Sequence, residues 1–231
     1  MHDIFGSAEL DALRLSLEVA AGSVLCSLPV AILVAWLLTR TRFPGRVLFD
    51  AVVHLPLVLP PVAVGYLLLL LFGTRGPVGR WLYADFGIEL AFSAKGAALA
   101  TAVMTFPLMV RAIRISLDNV DRGLEAAACT LGAGAVDRFT TITLPLMLPG
   151  ILAGVVMAFA AGLGEFGAVI TFVANIPGET RTLPLALYTA IQTPSGDALA
   201  ARLAILSISL GLAGLLFAEW LARYIRRRLG R

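Results

Sequence analysis

Apolar residues along the chain fall into five long runs, separated by polar pieces rich in arginine, glycine and proline. The runs cover residues 19–38, 51–72, 91–115, 149–173 and 203–224. A helix needs roughly 20 apolar residues to cross about 30 Å of hydrocarbon. The first two runs meet that length easily. The third is the weakest, because its uncharged part spans only residues 96–110. Arg111 and Arg114 at its end must lie at the interface or snorkel to it. Residues 1–18 are polar to amphipathic and are expected to precede the first span. The pattern predicts an all-α integral membrane protein with about five transmembrane helices. At 231 residues it reads as one transmembrane domain, residues 1–231.

Punctuation refines this picture. Pro56, Pro60 and Pro61 open the second run, where they act as a helix-start signal or as a hinge. The loops at residues 73–92 and 175–199 read as extracytoplasmic connections. Neither an internal repeat nor a low-complexity segment is visible. Composition agrees with a membrane protein. The chain is 59% hydrophobic and 14% charged, whereas soluble domains carry about a quarter charged residues. The formal net charge is +3, Lys95 is the only lysine, and the remaining cations are arginines flanking the runs. No basic face with interleaved aromatics points to nucleic acid. Cys26 and Cys129 read as small buried or neutral residues, neither a disulfide nor a metal pair. Asp3, Glu9 and Asp11 stand where a cleavable signal would carry positive charge, so none is expected.

The arginines also choose an orientation. Arg40, Arg42 and Arg46 follow the first run, and Arg111, Arg114, Arg122 and Arg138 follow the third. Arg223, Arg226, Arg227, Arg228 and Arg231 crowd the C-terminus. With those segments cytoplasmic, the N-terminus lies outside and the C-terminus inside.

One stretch between the third and fourth runs carries a distinct pattern. Ala126, Ala127 and Ala128 favour a short helix, and Leu131 can pack one of its faces. Gly132 and Gly134 then break or turn the chain. A polar piece with Asp137 and Arg138 leads through Ile142, Leu144, Pro145 and Pro149 into the fourth run. Such a small-residue helix beside a membrane span offers a surface that another protein can approach closely. An ordinary amphipathic connector fits the spacing equally well. The stretch resembles the coupling loop of ABC-importer permeases, whose pattern is Glu-Ala-Ala, three residues, Gly, nine residues, Ile-x-Leu-Pro. Gly132, Ile142, Leu144 and Pro145 match it, and Ala127 and Ala128 hold the two alanines. The family's Glu position is Ala126 here, and the acidic residue stands one place earlier, at Glu125. The resemblance implies a type I importer permease fold, with residues 118–146 forming a cytoplasmic loop that docks into a groove on a separate ATPase subunit.

Catalytic chemistry is not apparent. There is no glycine-rich loop ending in Gly-Lys-Ser/Thr, so ATP would be bound and hydrolysed by the partner, and this chain is not expected to be an enzyme or to hold a cofactor. His2 and His54 are the only histidines, which leaves no credible metal set. The outstanding intramembrane ionisable residue is Glu165, in Gly162-Leu163-Gly164-Glu165-Phe166-Gly167, well within the fourth run. A carboxylate there marks a gate or a structural pairing with an arginine or backbone amides. Direct contact with an anionic cargo is the weaker reading, because the charge would repel it.

Over nearly its whole length the chain resembles the molybdate branch of these permeases. The run from Asn175 through Pro177, Gly178, Glu179, Thr180 and Arg181 to Pro184 carries this most specifically, while Gly-Glu-Phe-Gly at 164–167 is shared in form with sulfate permeases. The resemblance implies a homodimer, two ATPase copies, and a periplasmic binding protein that delivers molybdate to the inner membrane. The spans hold hydroxyls rather than a deep arginine cluster, which suits a weakly binding, gated passage for a dianion. Thr101, Thr105 and Thr171 are the candidate lining residues. Tungstate or sulfate remain alternative cargoes. A secondary anion transporter is the alternative class, disfavoured by the single deep carboxylate and the lack of a repeat.

Overall fold

A computed structural model describes residues 6–228, and every described element is helical or a turn. The helices are α1 (Ser7–Arg40), α2 (Arg46–His54), α3 (Pro61–Phe72), α4 (Pro77–Phe86), α5 (Ala94–Asp118), α6 (Arg122–Thr130), α7 (Ala135–Arg138), α8 (Leu144–Leu163), α9 (Gly167–Val173), α10 (Leu183–Gln192) and α11 (Asp197–Arg228). Among the described residues, four helical stretches are long and apolar enough to cross a membrane, and a fifth crossing arises if the bent pair of α2 and α3 counts as one. His2, Asp3 and Arg231 lie outside the described residues.

The boundaries depart from the hydropathy pattern in informative ways. The first helix begins at Ser7, well before its apolar run. Its amphipathic first turns earn their place by packing: Glu9, Ala12 and Ser16 are buried, Ser16 Oγ accepts from Leu183 N at 2.7 Å, and Glu9 lies 3.2 Å from Arg202 of α11. The second run is not one straight span. After α2 the chain makes a tight turn at Leu55–Leu57, and α3 leaves at 112°. Pro61 at the start of α3 has no N–H to lose there, so the helix-start reading of the prolines describes its local geometry. The fourth run also ends early, since α8 stops at Leu163 and α9 starts afresh at Gly167. Both expected loops contain helices, α4 in the first and α10 in the second. The two cysteines are exposed rather than buried: Cys26 on the outer flank of α1 and Cys129 on α6.

The core is built around α5. It packs along α1 and α8, and Met109, Val110, Ile113 and Leu117 are fully enclosed with Met147 and Ala158 of α8. The seam with α8 is a row of small residues four apart. A β-carbon at Gly150 would collide with Ser116, one at Gly154 would lie 3.1 Å from the Met109 carbonyl oxygen, and one at Gly162 would lie 2.8 Å from Thr101 Cγ2. Helices in lipid gain little from hydrophobic burial, so close backbone approach across small residues is what binds them. A second cluster joins α3, α5 and α9 through Leu68, Ala97 and Phe172, and a third ties α1 and α10 to the start of α11 through Ala12, Leu183 and Leu203.

Candidate functional site

Two regions gather the residues of interest, one at an end of the helical stack and one within it. The first is the turn between α5 and α8. Asp121 starts α6 by accepting from Gly123 N at 2.7 Å, and Glu125 sits in the first turn, where a negative charge suits the helix N-terminus. The helix ends at Thr130, and two residues on, Gly132 has φ of +90°, a left-handed value that a residue without Cβ adopts freely. Gly132 N donates to Cys129 O and Ala133 N donates to Ala128 O, both at 3.0 Å, which closes the end in a Schellman motif. Ala127 and Ala128 therefore serve through carbonyls and small size, as Ala127 O also accepts from Thr130 Oγ1 at 2.7 Å. Leu131 packs no face, since it is 89% exposed. The glycine that follows swings the chain away before any wall is there to receive it.

Beyond the turn, α7 runs into a widened helical turn over Phe139–Thr143 and on into α8 without a stop. The stretch from Ala135 to Leu163 is therefore one continuous rod, long and apolar enough to cross a membrane, that starts just after the α6 turn. Ile142 and Leu144 are half-buried on it, and Pro145 opens α8 on the exposed side.

Glu125 joins this turn to the spans. Thr143 Oγ1 donates to Glu125 Oε1 at 2.6 Å, and Arg40 Nη2 lies 3.3 Å from the same oxygen. Arg40 Nη2 also donates to the carbonyls of Leu117 at 3.4 Å and Val120 at 3.5 Å. The end of α1, the end of α5, the start of α6 and the rod into α8 thus meet at one arginine–carboxylate pair. The Arg40 side chain is only 10% exposed, so solvent screens the pair weakly. The sequence pattern assigns Arg40 to orientation alone and does not mark Thr143. Nothing in the spacing links residues so far apart, although a buried arginine needs a partner wherever it occurs. A separate pair, Arg114 to Asp50 at 2.7 Å, ties α5 to α2, and His54 Nδ1 lies 2.9 Å from Asp50 O.

The second region is where two helix breaks touch. A β-carbon on Gly167, at the start of α9, would lie 2.7 Å from Pro61 Cβ at the start of α3. One turn further on, a β-carbon on Gly65 would lie 2.6 Å from the Ala168 carbonyl oxygen. Interrupted backbone at membrane depth is tolerated where it is buried in protein or lines a cavity. Glu165 lies in the gap between α8 and α9, not on a helix, and Oε1 accepts from Ala168 N at 3.0 Å. Of the pairings foreseen for it, the backbone amide is the one present.

The candidate hydroxyls divide. Thr171 is half-buried on α9, with Oγ1 donating to Gly167 O at 2.8 Å. Thr101 and Thr105 are buried on α5: Thr105 Oγ1 donates to Thr101 O at 2.9 Å, and the Thr101 methyl fills the notch at Gly162. The Asn175–Pro184 run folds into a compact knot. Arg181 Nε donates to Asn175 Oδ1 at 2.9 Å, Asn175 Nδ2 donates to Thr189 Oγ1 at 2.7 Å, and Ile176 N donates to Thr180 Oγ1 at 2.9 Å.

A multi-span helical bundle with a capped turn clamped to its spans is the architecture of a transport permease. The chain belongs to the family described as binding-protein-dependent transport system inner membrane component, which matches residues 27–227. It is 62% identical over 228 residues to the molybdenum transport system permease protein ModB of Escherichia coli K12, covering 99% of this chain and 100% of that protein. The sulfate transport system permease protein CysW of Synechocystis is more distant, at 38% identity over 85% of this chain and 72% of its own length. The fold is shared with a bacterial alginate ABC transporter solved in complex with a pentasaccharide-bound periplasmic protein. That match has a TM-score of 0.77 and 20% identity, over 95% of this chain and 80% of that one.

Proposed function

We propose that this chain is the membrane-embedded permease subunit of an ABC importer that carries molybdate across the inner membrane. The single observation that carries this reading is the full-length likeness to a molybdenum permease, which far exceeds the likeness to a sulfate permease. The clamped turn supplies the mechanism. A separate ATPase subunit docks on α6 and moves it when ATP is bound and hydrolysed. Because Glu125, Arg40 and Thr143 join α6 to the ends of α1 and α5 and to the rod into α8, that movement reaches the spans as one displacement. The α5–α8 seam is too close-packed to slide, so the displacement continues to the far end of α8, where Glu165 sits.

There the paired breaks at α3 and α9 form the gate, with Thr171 beside the path and Thr101 and Thr105 supporting it from α5. Two copies of this chain enclose the path between them, two ATPase copies drive it, and a periplasmic protein delivers molybdate. The N-terminus lies outside and the C-terminus inside. Cargo choice rests with the binding protein, because weak hydroxyl and amide contacts let a dianion leave as readily as it enters. The test is ATP hydrolysis by the reconstituted complex with its binding protein loaded in turn with molybdate, tungstate and sulfate. Stimulation by the molybdate-loaded form above the sulfate-loaded form supports the reading. Equal or greater stimulation by sulfate overturns the cargo.

A further inference from the structure

A basic cavity lies beside α6. A cavity of about 580 Å³ opens between the end of α1, α6 and the widened turn leading into α8. Trp36, Arg40, Arg122, Glu125, Arg138 and Phe139 line it. Three guanidinium groups face one carboxylate, so the cavity carries a net positive charge. Only Arg40 is matched to that carboxylate. Among the described residues the guanidinium groups of Arg122 and Arg138 make no hydrogen bond or ion pair, and Arg40 Nε is buried with no hydrogen-bond partner.

The position of the cavity says what kind of anion it suits. The end of one spanning stretch, Ala8–Arg40, and the start of another, Ala135–Leu163, form its walls, so it lies at the boundary of the bilayer. Trp36 and Phe139 put aromatic rings at that level, as membrane-interface residues do. Leu124 and Leu131, the exposed apolar residues of the α6 turn, belong to the outer surface and do not line the cavity. A docking subunit would meet that outer surface, leaving the cavity behind it. Its volume also far exceeds what a bare tetrahedral anion fills.

We infer that this cavity holds the phosphodiester headgroup of an anionic phospholipid, with Arg122 and Arg138 on the phosphate and the acyl chains running beside Trp36. Basic pockets between membrane helices on the cytoplasmic side are where such headgroups bind. The inference rests on the membrane placement and orientation proposed above, but not on the cargo. A lipid fixed there would wedge the coupling helix against α1, and the importer's ATPase rate would follow the lipid composition.

The experiment uses the purified complex with its ATPase subunit, exchanged into phosphatidylglycerol or phosphatidylcholine, with retained lipid read by native mass spectrometry. Preferential retention of phosphatidylglycerol is expected. The double variant Arg122→Gln/Arg138→Gln should lower it roughly tenfold or more, from the attraction each arginine adds near an anionic surface. The control Arg75→Gln/Arg80→Gln, beyond the other end of α3, should leave retention unchanged. Three results overturn the inference: equal retention of both lipids, displacement by millimolar inorganic phosphate (a free-anion site), or retention by the chain alone that is abolished when the ATPase binds (a surface belonging to that subunit). None depends on which oxyanion is transported, so failure of the molybdate reading would leave the lipid result interpretable.

Discussion

At the scale of single residues, Glu125 and Glu165 are carboxylates with opposite surroundings. Glu125 is held by a cation and a hydroxyl at the joint between turn and spans, whereas Glu165 accepts from the backbone N–H of Ala168 in a gap between helices. Glu125→Gln keeps the acceptor for Thr143 but leaves the largely buried Arg40 without its counter-charge. A hydrogen bond to a charged group contributes about 1.5–3 kcal/mol. The variant should therefore assemble less well and uncouple ATP hydrolysis from uptake, measured as molybdate accumulated per ATP consumed. An unchanged ratio would remove Glu125 from the coupling path.

At Glu165 the expectation differs between the two replacements. Gln can still accept from Ala168 N through its amide oxygen, while Ala leaves that N–H of α9 unsatisfied. Dimer yield should be nearly normal for Glu165→Gln and reduced for Glu165→Ala. Uptake should fall in both, because a gate must exchange partners between its states. Normal uptake by both variants would leave this carboxylate without a part in transport.

At the scale of elements, the turn and the seam make separate demands. Gly132 has φ of +90° in open space, so the obstacle to a side chain there is backbone strain rather than collision. Such strain costs on the order of 1–3 kcal/mol and is worst for a β-branched residue. Gly132→Val should leave the chain in the membrane but weaken its co-purification with the ATPase subunit, and normal co-purification with parental transport would refute it. The seam is the reverse case. Gly150 has ordinary helical backbone but no room, because Ser116 fills the space. Gly150→Leu should separate α5 from α8 and lower the thermal stability of the chain in detergent, with overpacking costing roughly 1–3 kcal/mol. An unchanged melting temperature would show that the seam is looser than described.

These elements also show what the sequence could reveal. The spans were legible because lipid imposes a length and a composition, and the turn after α6 because its glycine and prolines have local conformational meanings. The early stop of α8 had a signal in Gly162, Gly164, Glu165 and Gly167, and the restart at Gly167 is held by Ala168 N donating to Glu165 Oε1 and by close packing against Pro61 of α3. The burial of the amphipathic start of α1 was not legible, although its mixed polarity was. Its polar residues are satisfied by Leu183 and Arg202, which become neighbours only in the folded bundle. The row Gly150, Gly154, Ala158 and Gly162 was visible as small residues four apart, and that signal could have been used.

At the scale of the whole molecule, the proposed orientation can be tested with a residue the chain already has. Cys129 is exposed on α6. In intact spheroplasts it should resist an impermeant thiol reagent, and in inverted vesicles it should react. A cysteine introduced near Arg228, in a background lacking the native thiols, should behave as cytoplasmic in the same assay. Labelling of either from outside would reverse the orientation and remove α6 from the compartment where ATP is found.

The seam has a further consequence in the order of events as the chain is made. Ser116 leaves the ribosome well before Gly150, and the coupling turn lies between them. At about 5–20 residues per second this interval is on the order of seconds. Until Gly150 arrives, the small-residue notches that will receive α5 do not exist, and Thr143 is not yet in place to hold Glu125. The turn is therefore synthesised after its supports in α1 and α5 but before its support from the rod into α8. A free ATPase subunit meeting the nascent chain would find the sequence it recognises without the shape, and capture must wait for α8 to be inserted.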